Sequence, residues 1–248
     1  MTDSILQVRD LCKSYGAVMA SRKLCLDIRR GDVHALIGPN GAGKTTAVNQ
    51  LSGDTLPDSG SIVFDGSEIS RLPAYRRARL GLARSFQITS IFEDLTVAEN
   101  LALAIIARTG HNFRFWRNGL KTPLVAQELP EALLRVDLDR QADLPARHLS
   151  HGEKRQLEVG MALTGRPKLL LLDEPMAGMG PGGTVEMAKL IRRLKGEITI
   201  LLVEHDMEAV FSLADRISVL VYGECVANGT PEEIRSNPTV RTAYLGDD

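Results

Sequence analysis

Val33-His34-Ala35-Leu36-Ile37-Gly38-Pro39-Asn40-Gly41-Ala42-Gly43-Lys44-Thr45 is the stretch that decides the fold. Its first five residues read as a strand buried on both faces, the apolar run expected of a parallel sheet. The next eight fit G-x-x-x-x-G-K-[ST]. Glycines at Gly38, Gly41 and Gly43 let backbone N–H groups turn inward around a phosphate without interference from a Cβ. A helix starting at Lys44 points its positive N-terminal end at the same group. Lys44 then reaches β- and γ-oxygens, and Thr45 is placed to ligate Mg²⁺.

Further along, Leu169-Leu170-Leu171-Leu172-Asp173-Glu174 is an apolar strand ending in two carboxylates. Ligands of open parallel sheets bind beyond the carboxyl ends of the strands. Asp173 is thereby expected to hold Mg²⁺ and Glu174 to polarise an attacking water as general base. Around these two segments strand and helix alternate: residues 198–203 and 216–221 read as strands, 182–194 and 207–213 as helices. The opening around Ile5, Val8 and Leu11 reads as a short strand, and Leu24 to Ile28 as another. Thr96 to Arg108 carries helical spacing. Residues 73–80, with Arg76, Arg77 and Arg79, read as a basic helix. Residues 109–121 mix Phe113, Phe115 and Trp116 with basic side chains and read as a surface insertion. Helical signals dominate about 88–163, which interrupts the α/β body.

The chain has 248 residues, 44% of them apolar, enough to bury a core without disulfide staples. Cys12, Cys25 and Cys225 form no CxxC and read as reduced structural thiols. Thirty basic residues against 31 acidic ones leave a formal charge of −1, so no global field favours nucleic acid or anionic lipid. No apolar run has the length of a transmembrane helix, and Met1 to Ser4 has no apolar signal-peptide segment. A single tryptophan makes a base-stacking platform a poor fit.

Four further segments resemble the ATP-binding subunits of ABC transporters. Leu149-Ser150-His151-Gly152-Glu153 looks like the family signature, commonly Leu-Ser-Gly-Gly-Gln. Phe86-Gln87 looks like the Q-loop, Glu204-His205-Asp206 like the switch histidine, and Tyr15 like the adenine-stacking aromatic. Residues 81–87, 95–100, 149–161 and the ending around Asn237-Pro238 and Ala243 to Gly246 are similar to the ATPases of branched-chain (hydrophobic) amino-acid importers. Closely similar subunits serve urea importers and lipopolysaccharide exporters. A soluble ABC ATPase acting on DNA or ribosomes is a third reading, against which the chain has neither a coiled-coil insertion nor a second ATP module.

The resemblance implies one ABC ATPase domain over 1–248: an α/β, P-loop NTPase (RecA-like) core at about 1–87 and 164–248, with an N-terminal antiparallel β subdomain and an inserted α-helical signature subdomain at about 88–163. It implies ATP and Mg²⁺ as ligands. Gly38, Pro39, Asn40, Gly41, Ala42, Gly43, Lys44, Thr45 and Thr46 would hold phosphates, with Tyr15 on the adenine. Ser150, Gly152 and Glu153 would face the nucleotide bound by a second protomer. Taken alone, Ser150 is also a good helix N-cap. Thr45, Gln87 and Asp173 would organise the metal, and Glu174, His205 and Lys44 would act in hydrolysis. His151 and Glu153 depart from the commonest glycine and glutamine, and Gly180 stands where many members carry aspartate. The implied partners are a second ATPase, identical or paralogous, two transmembrane permeases and, indirectly, a substrate-binding protein. The implied location is the cytoplasmic face of the inner membrane, without nucleic acid as a partner.

Overall fold

The structure is a computed structural model that describes residues 3–85, 91–108 and 122–240. Its elements group into two compact units, Met1–Arg84 with Lys168–Glu174 and Leu194–Asp248, and Ser85–Pro167 with Pro175–Arg193.

The first unit holds two sheets. β1 (Ser4–Tyr15), β2 (Val18–Arg29), β4 (Ser59–Phe64) and β5 (Ser67–Glu68) form an antiparallel sheet in the order β2-β1-β4-β5. The second sheet has the order β10-β9-β3-β8-β7-β6, from β3 (Val33–Ile37), β6 (Leu82–Ser85), β7 (Leu169–Asp173), β8 (Thr199–Val203), β9 (Arg216–Val221) and β10 (Glu224–Gly229). Its inner strands β9, β3, β8 and β7 are parallel, and β10 closes one edge antiparallel. Helices α1 (Lys44–Ser52), α2 (Ala74–Leu80), α7 (Met207–Leu213) and α8 (Pro231–Ser236) complete the unit.

Every residue of β3, β7 and β8 is buried, which explains their unbroken apolar runs. Alternate residues of β3 serve two cores. Leu36 packs with Leu6, Phe64, Leu51 and Leu201, and Ala35 and Ile37 pack with Val210, Ile217 and Ile234. His34 is fully buried, with Nε2 2.8 Å from Ser218 Oγ. Burial lowers its pKa to about 4, so it is a neutral structural histidine. Cys12, Cys25 and Cys225 are free thiols.

One feature differs from the sequence reading and another adds to it. β1 is a twelve-residue strand, longer than the short one expected, because bulges between Val8 and Leu11 and between Leu11 and Lys13 break the period-two alternation. The basic helix expected at 73–80 is present, and within it Arg77 is fully buried. Its guanidinium donates to the carbonyls of Gln50 (2.6 Å), Leu51 (2.8 Å), Ser70 (3.0 Å) and Leu72 (2.8 Å).

The second unit contains α3 (Val97–Arg108), α4 (Pro123–Arg135), α5 (His151–Thr164) and nearly all of α6 (Pro181–Leu194). Ala102, Ile105 and Val125 make a small core between α3 and α4. Residues 175–193 group here rather than with the α/β body, where the sequence boundaries put them. Local contacts account for this: Arg193 donates to Asp137 Oδ1 at 2.9 Å, and a Cβ on Gly152 would stand 3.4 Å from Gly183 Cα. No helix among the described residues is long and apolar enough to cross a membrane.

Candidate active site

Parallel pairing of β9, β3, β8 and β7 brings the carboxyl ends of β3, β7 and β8 to one edge of the sheet. The loop at residues 38–43 leaves β3 there and enters α1. The N-cap of α1 is Gly43, in the left-handed region at φ 99°, and no side chain caps the helix. The amides of its first turn therefore point outward as donors for an anion.

Glycine is required at two positions by close approach. A Cβ on Gly43 would lie 2.2 Å from the Ala20 carbonyl oxygen, and one on Gly38 would lie 2.2 Å from that of Leu220. The turn at 222–223 is tied in as well, since Gly223 N donates to Ala42 O and Arg22 N to Gly223 O, both at 2.9 Å. A cleft of about 670 Å³ results, lined by residues 40–46, Glu174, Val18, Ala20, Arg22 and Tyr222. That volume suits a nucleotide-sized ligand. Gly43→Ala is expected to weaken nucleotide binding about ten- to a hundredfold by displacing the loop. Gly41→Ala shares the positive φ, at 80°, but meets nothing within 4 Å, so it carries the backbone strain without the clash and is expected to weaken binding less. Equilibrium titration of both variants with a fluorescent nucleotide checks this; equal losses would remove the close approach as the cause.

Lys44 is buried, and its Nζ donates to Gly38 O (2.5 Å) and Pro39 O (3.1 Å) inside its own loop. Burial pushes its pKa below the ordinary lysine value, opposed by the charges of Glu174 and Asp173. Both carboxylates thus lie within electrostatic reach of the loop. Asp173, 2% exposed, pairs in register with Val203 of β8. Glu174 follows at φ 47°, a left-handed conformation rare for a side-chain-bearing residue, and its N–H donates to Val203 O at 2.8 Å. His205, two residues beyond Val203, has Nδ1 3.9 Å from Glu174 Oε1 and 3.8 Å from Glu204 Oε2. Glu204 is buried, whereas the His205 ring is largely exposed.

The oxygens of Thr45, Asp173 and Glu174 are hard donors and suit a cation such as Mg²⁺. No set of three or more His, Cys, Asp or Glu residues among the described ones forms a metal cage. A site of one or two carboxylates completed by phosphate oxygens and water is the usual arrangement for Mg²⁺.

The first unit therefore brings together the loop 38–46, Asp173, Glu174 and His205. Tyr15 is half exposed, 5.7 Å from Lys13 Nζ by its ring centroid. It pairs across the hairpin with Val18 but does not itself line the cleft. Gln87 lies outside the described residues, as do Phe86, residues 109–121 with Trp116, and the ending Ala243 to Gly246. Val18, Ala20, Arg22 and Tyr222 carry no chemical signal in the sequence; only the fold delivers them.

In the second unit, Ser150 caps α5 in a complete capping box. Glu153 N donates to Ser150 Oγ at 3.3 Å, and Ser150 N donates to Glu153 Oε2 at 2.8 Å. Glu153 Oε1 accepts from Gln141 Nε2 at 3.0 Å. Burial alone would raise the Glu153 pKa, but the hydrogen bonds from Ser150 and Gln141 outweigh it and hold it low. The Glu153 carboxylate is thus committed to its own helix start. Gly178 has φ 73°, and a Cβ there would lie 3.6 Å from His151 Nε2.

A family model described as ABC transporter matches residues 21–177, and one described as branched-chain amino acid ATP-binding cassette transporter matches residues 224–248. The chain is 40% identical, over the full length of both proteins, to the high-affinity branched-chain amino acid transport ATP-binding protein BraF of Pseudomonas aeruginosa. It is 39% identical, again over both full lengths, to the corresponding protein LivG of Escherichia coli K12. Among solved structures, an ATP-binding cassette of an ABC transporter in its ADP conformation superposes with a TM-score of 0.84 at 27% identity, covering 99% of this chain and 100% of that one. A nucleotide-free cassette from an ABC transporter gives a TM-score of 0.83 at 29% identity, covering 98% and 100%.

Proposed function

The chain belongs to the ABC transporter family of ATP-binding proteins, and from that premise we propose that it is the ATP-hydrolysing subunit powering an importer of branched-chain or other hydrophobic amino acids. The observation that carries the ATPase reading is the uncapped start of α1, with Glu174 and His205 beside the same strand ends. The amino-acid reading is supported by full-length relatives with that activity in their names and by the subfamily match at 224–248.

In this reading the amides of residues 41–46 and the Lys44 ammonium hold the phosphates. Lys44 exchanges the carbonyls of Gly38 and Pro39 for phosphate oxygens. Thr45 and Asp173 hold Mg²⁺, with Gln87 as a further contact. When bound, Mg²⁺ neutralises β- and γ-phosphate charge. Glu174 accepts a proton from the attacking water. His205 donates to the γ-phosphate and is oriented by the carboxylates of Glu174 and Glu204. His205→Ala is expected to lower turnover about 10²- to 10³-fold while nucleotide affinity stays near wild type. Phosphate release and nucleotide titration measure the two quantities; wild-type turnover would make His205 structural.

The working unit in this proposal is a dimer, with itself or with a paralogue, in which the Ser150–Glu153 segment of one protomer faces the nucleotide of the other. Two permeases and a substrate-binding protein complete the assembly at the cytoplasmic face of the membrane. Purifying the tagged protein from its native membranes and identifying the co-purifying chains tests this. Two hydrophobic permeases with a second ATPase are expected. Lipid-export components would reverse the direction of transport, and ribosomal or DNA-repair partners would overturn the transporter reading.

A further inference from the structure

Arg84 has no place in the mechanism above, yet it donates directly to a carboxylate of the proposed metal site. It stands on β6 with its side chain 10% exposed. Its Nη2 donates to Asp173 Oδ2 at 2.9 Å. Its Nη1 donates to Asn49 Oδ1 at 2.6 Å and to Asp54 Oδ2 at 2.9 Å. Asn49 is in the last turn of α1, and Asp54 lies just past its end. The first turn of the same helix carries Lys44 and Thr45. One planar guanidinium therefore links the buried carboxylate at the end of β7 to the far end of the helix that presents the phosphate donors.

The chemistry of the fork matters here. A carboxylate as buried as Asp173 needs a cationic or donor partner. A guanidinium meets it with fixed geometry, because its donors are coplanar and cannot rotate independently. Fixing one carboxylate oxygen fixes the plane of the group, and hence the direction of the other oxygen. Anchors at Asn49 and Asp54 keep the guanidinium itself from turning. An ammonium at this position would supply charge but could not span acceptors on two elements.

Resting on the proposed role of Asp173 as the cation's carboxylate, we propose that Arg84 is a positioning residue that sets the orientation of Asp173 for the divalent cation and locks it to α1. Outer partners of metal ligands commonly change metal affinity by about ten- to a hundredfold when removed. Arg84 also places a positive charge near that cation, which acts in the opposite direction. Orientation is the larger effect in this proposal, since the charge is already compensated by Asp54 and Asp173.

The test is the affinity for a non-hydrolysable fluorescent ATP analogue, measured in excess Mg²⁺ and again in excess EDTA. In Arg84→Gln the Mg²⁺ affinity is expected to fall about tenfold with the EDTA affinity unchanged, so that the ratio of the two constants shrinks. Arg84→Lys should lie between. Asp54→Asn, at a partly exposed position on the other side of the guanidinium from Asp173, releases one anchor and should shrink the ratio about twofold to threefold. It also serves should the Arg84 variants fail to fold. A brace that serves only the fold would move both affinities together and leave the ratio alone. A dominant charge repulsion would enlarge the ratio. Either result overturns the assignment. Asp173→Asn separates the two levels: an unchanged ratio there removes Asp173 as the cation's ligand, whereas a collapsed ratio with wild-type behaviour in Arg84→Gln removes only Arg84.

Discussion

Glu174→Gln is expected to bind ATP as the wild type does and to turn it over about 10²- to 10⁴-fold more slowly. The basis is where the backbone puts this side chain. Asp173 ends β7 in register with Val203, and Glu174 then adopts φ 47° while its N–H stays bonded to Val203 O. A left-handed residue at a strand end is held there by its surroundings, and it turns the carboxylate toward the loop cleft and His205. Glutamine keeps the size and most of the polarity of glutamate. It therefore preserves the backbone conformation and the cleft, but it cannot accept a proton from water. Lys44 loses one of two opposing carboxylate charges, while Asp173 keeps the other. Binding should survive on the amides of α1 and on Lys44. Nucleotide titration and phosphate release measure the two halves of the expectation. Sedimentation in ATP should find the variant accumulating as a dimer, because the closed state is no longer relieved by hydrolysis. Undiminished turnover would remove Glu174 as the base.

The contrast between the visible and the hidden parts of this site has a physical origin. The loop 38–45 and the Asp173-Glu174 pair stand out in the sequence because each is contiguous and the chemistry proposed for each acts locally. Ser150 was legible as a helix N-cap in the same way, and the structure adds Glu153 to complete a capping box. That box also explains why glutamate stands where glutamine is commonest: either side chain can reach back to the N-cap N–H. Arg84, Arg22 and Tyr222 were not legible, since each joins the site from a distant segment. No local pattern distinguishes an arginine braced against Asp173 from one in solvent. The bulged β1 was shortened in the sequence reading for a related reason: Asp10 and Lys23, both at positive φ, fall where the alternation breaks.

Removal of Arg77 should produce the largest loss of stability of any substitution considered, although the sequence shows it only as one arginine of a basic helix. The guanidinium is fully buried and has four carbonyl acceptors, at Gln50, Leu51, Ser70 and Leu72. Gln50 and Leu51 belong to the last turn of α1, whose carbonyls have no intrahelical donors and whose dipole favours a cation. Burial lowers the Arg77 pKa to about 10, which still leaves it charged at neutral pH. Arg77→Met keeps most of the apolar stem but leaves these carbonyls without their donor in a site closed to water. Losses of about 1–3 kcal/mol per buried unsatisfied group do not add fully, and a total of about 3–5 kcal/mol is expected. For a chain of this size that lowers Tm by about 6–20 °C. Arg77→Lys should recover less than half, because three donors on one nitrogen cannot face acceptors on both sides of a planar fork. Below the transition, nucleotide affinity should remain close to wild type. The proposed phosphate donors sit at the opposite end of α1, about 12 Å away by helical rise. Thermal unfolding with and without ATP separates the two effects: the melting temperatures should differ widely while the increment from ATP stays similar. A fall of under about 2 °C in Arg77→Met would mean that water or neighbouring donors replace the guanidinium, and that the C-terminal end of α1 is held by its apolar packing alone.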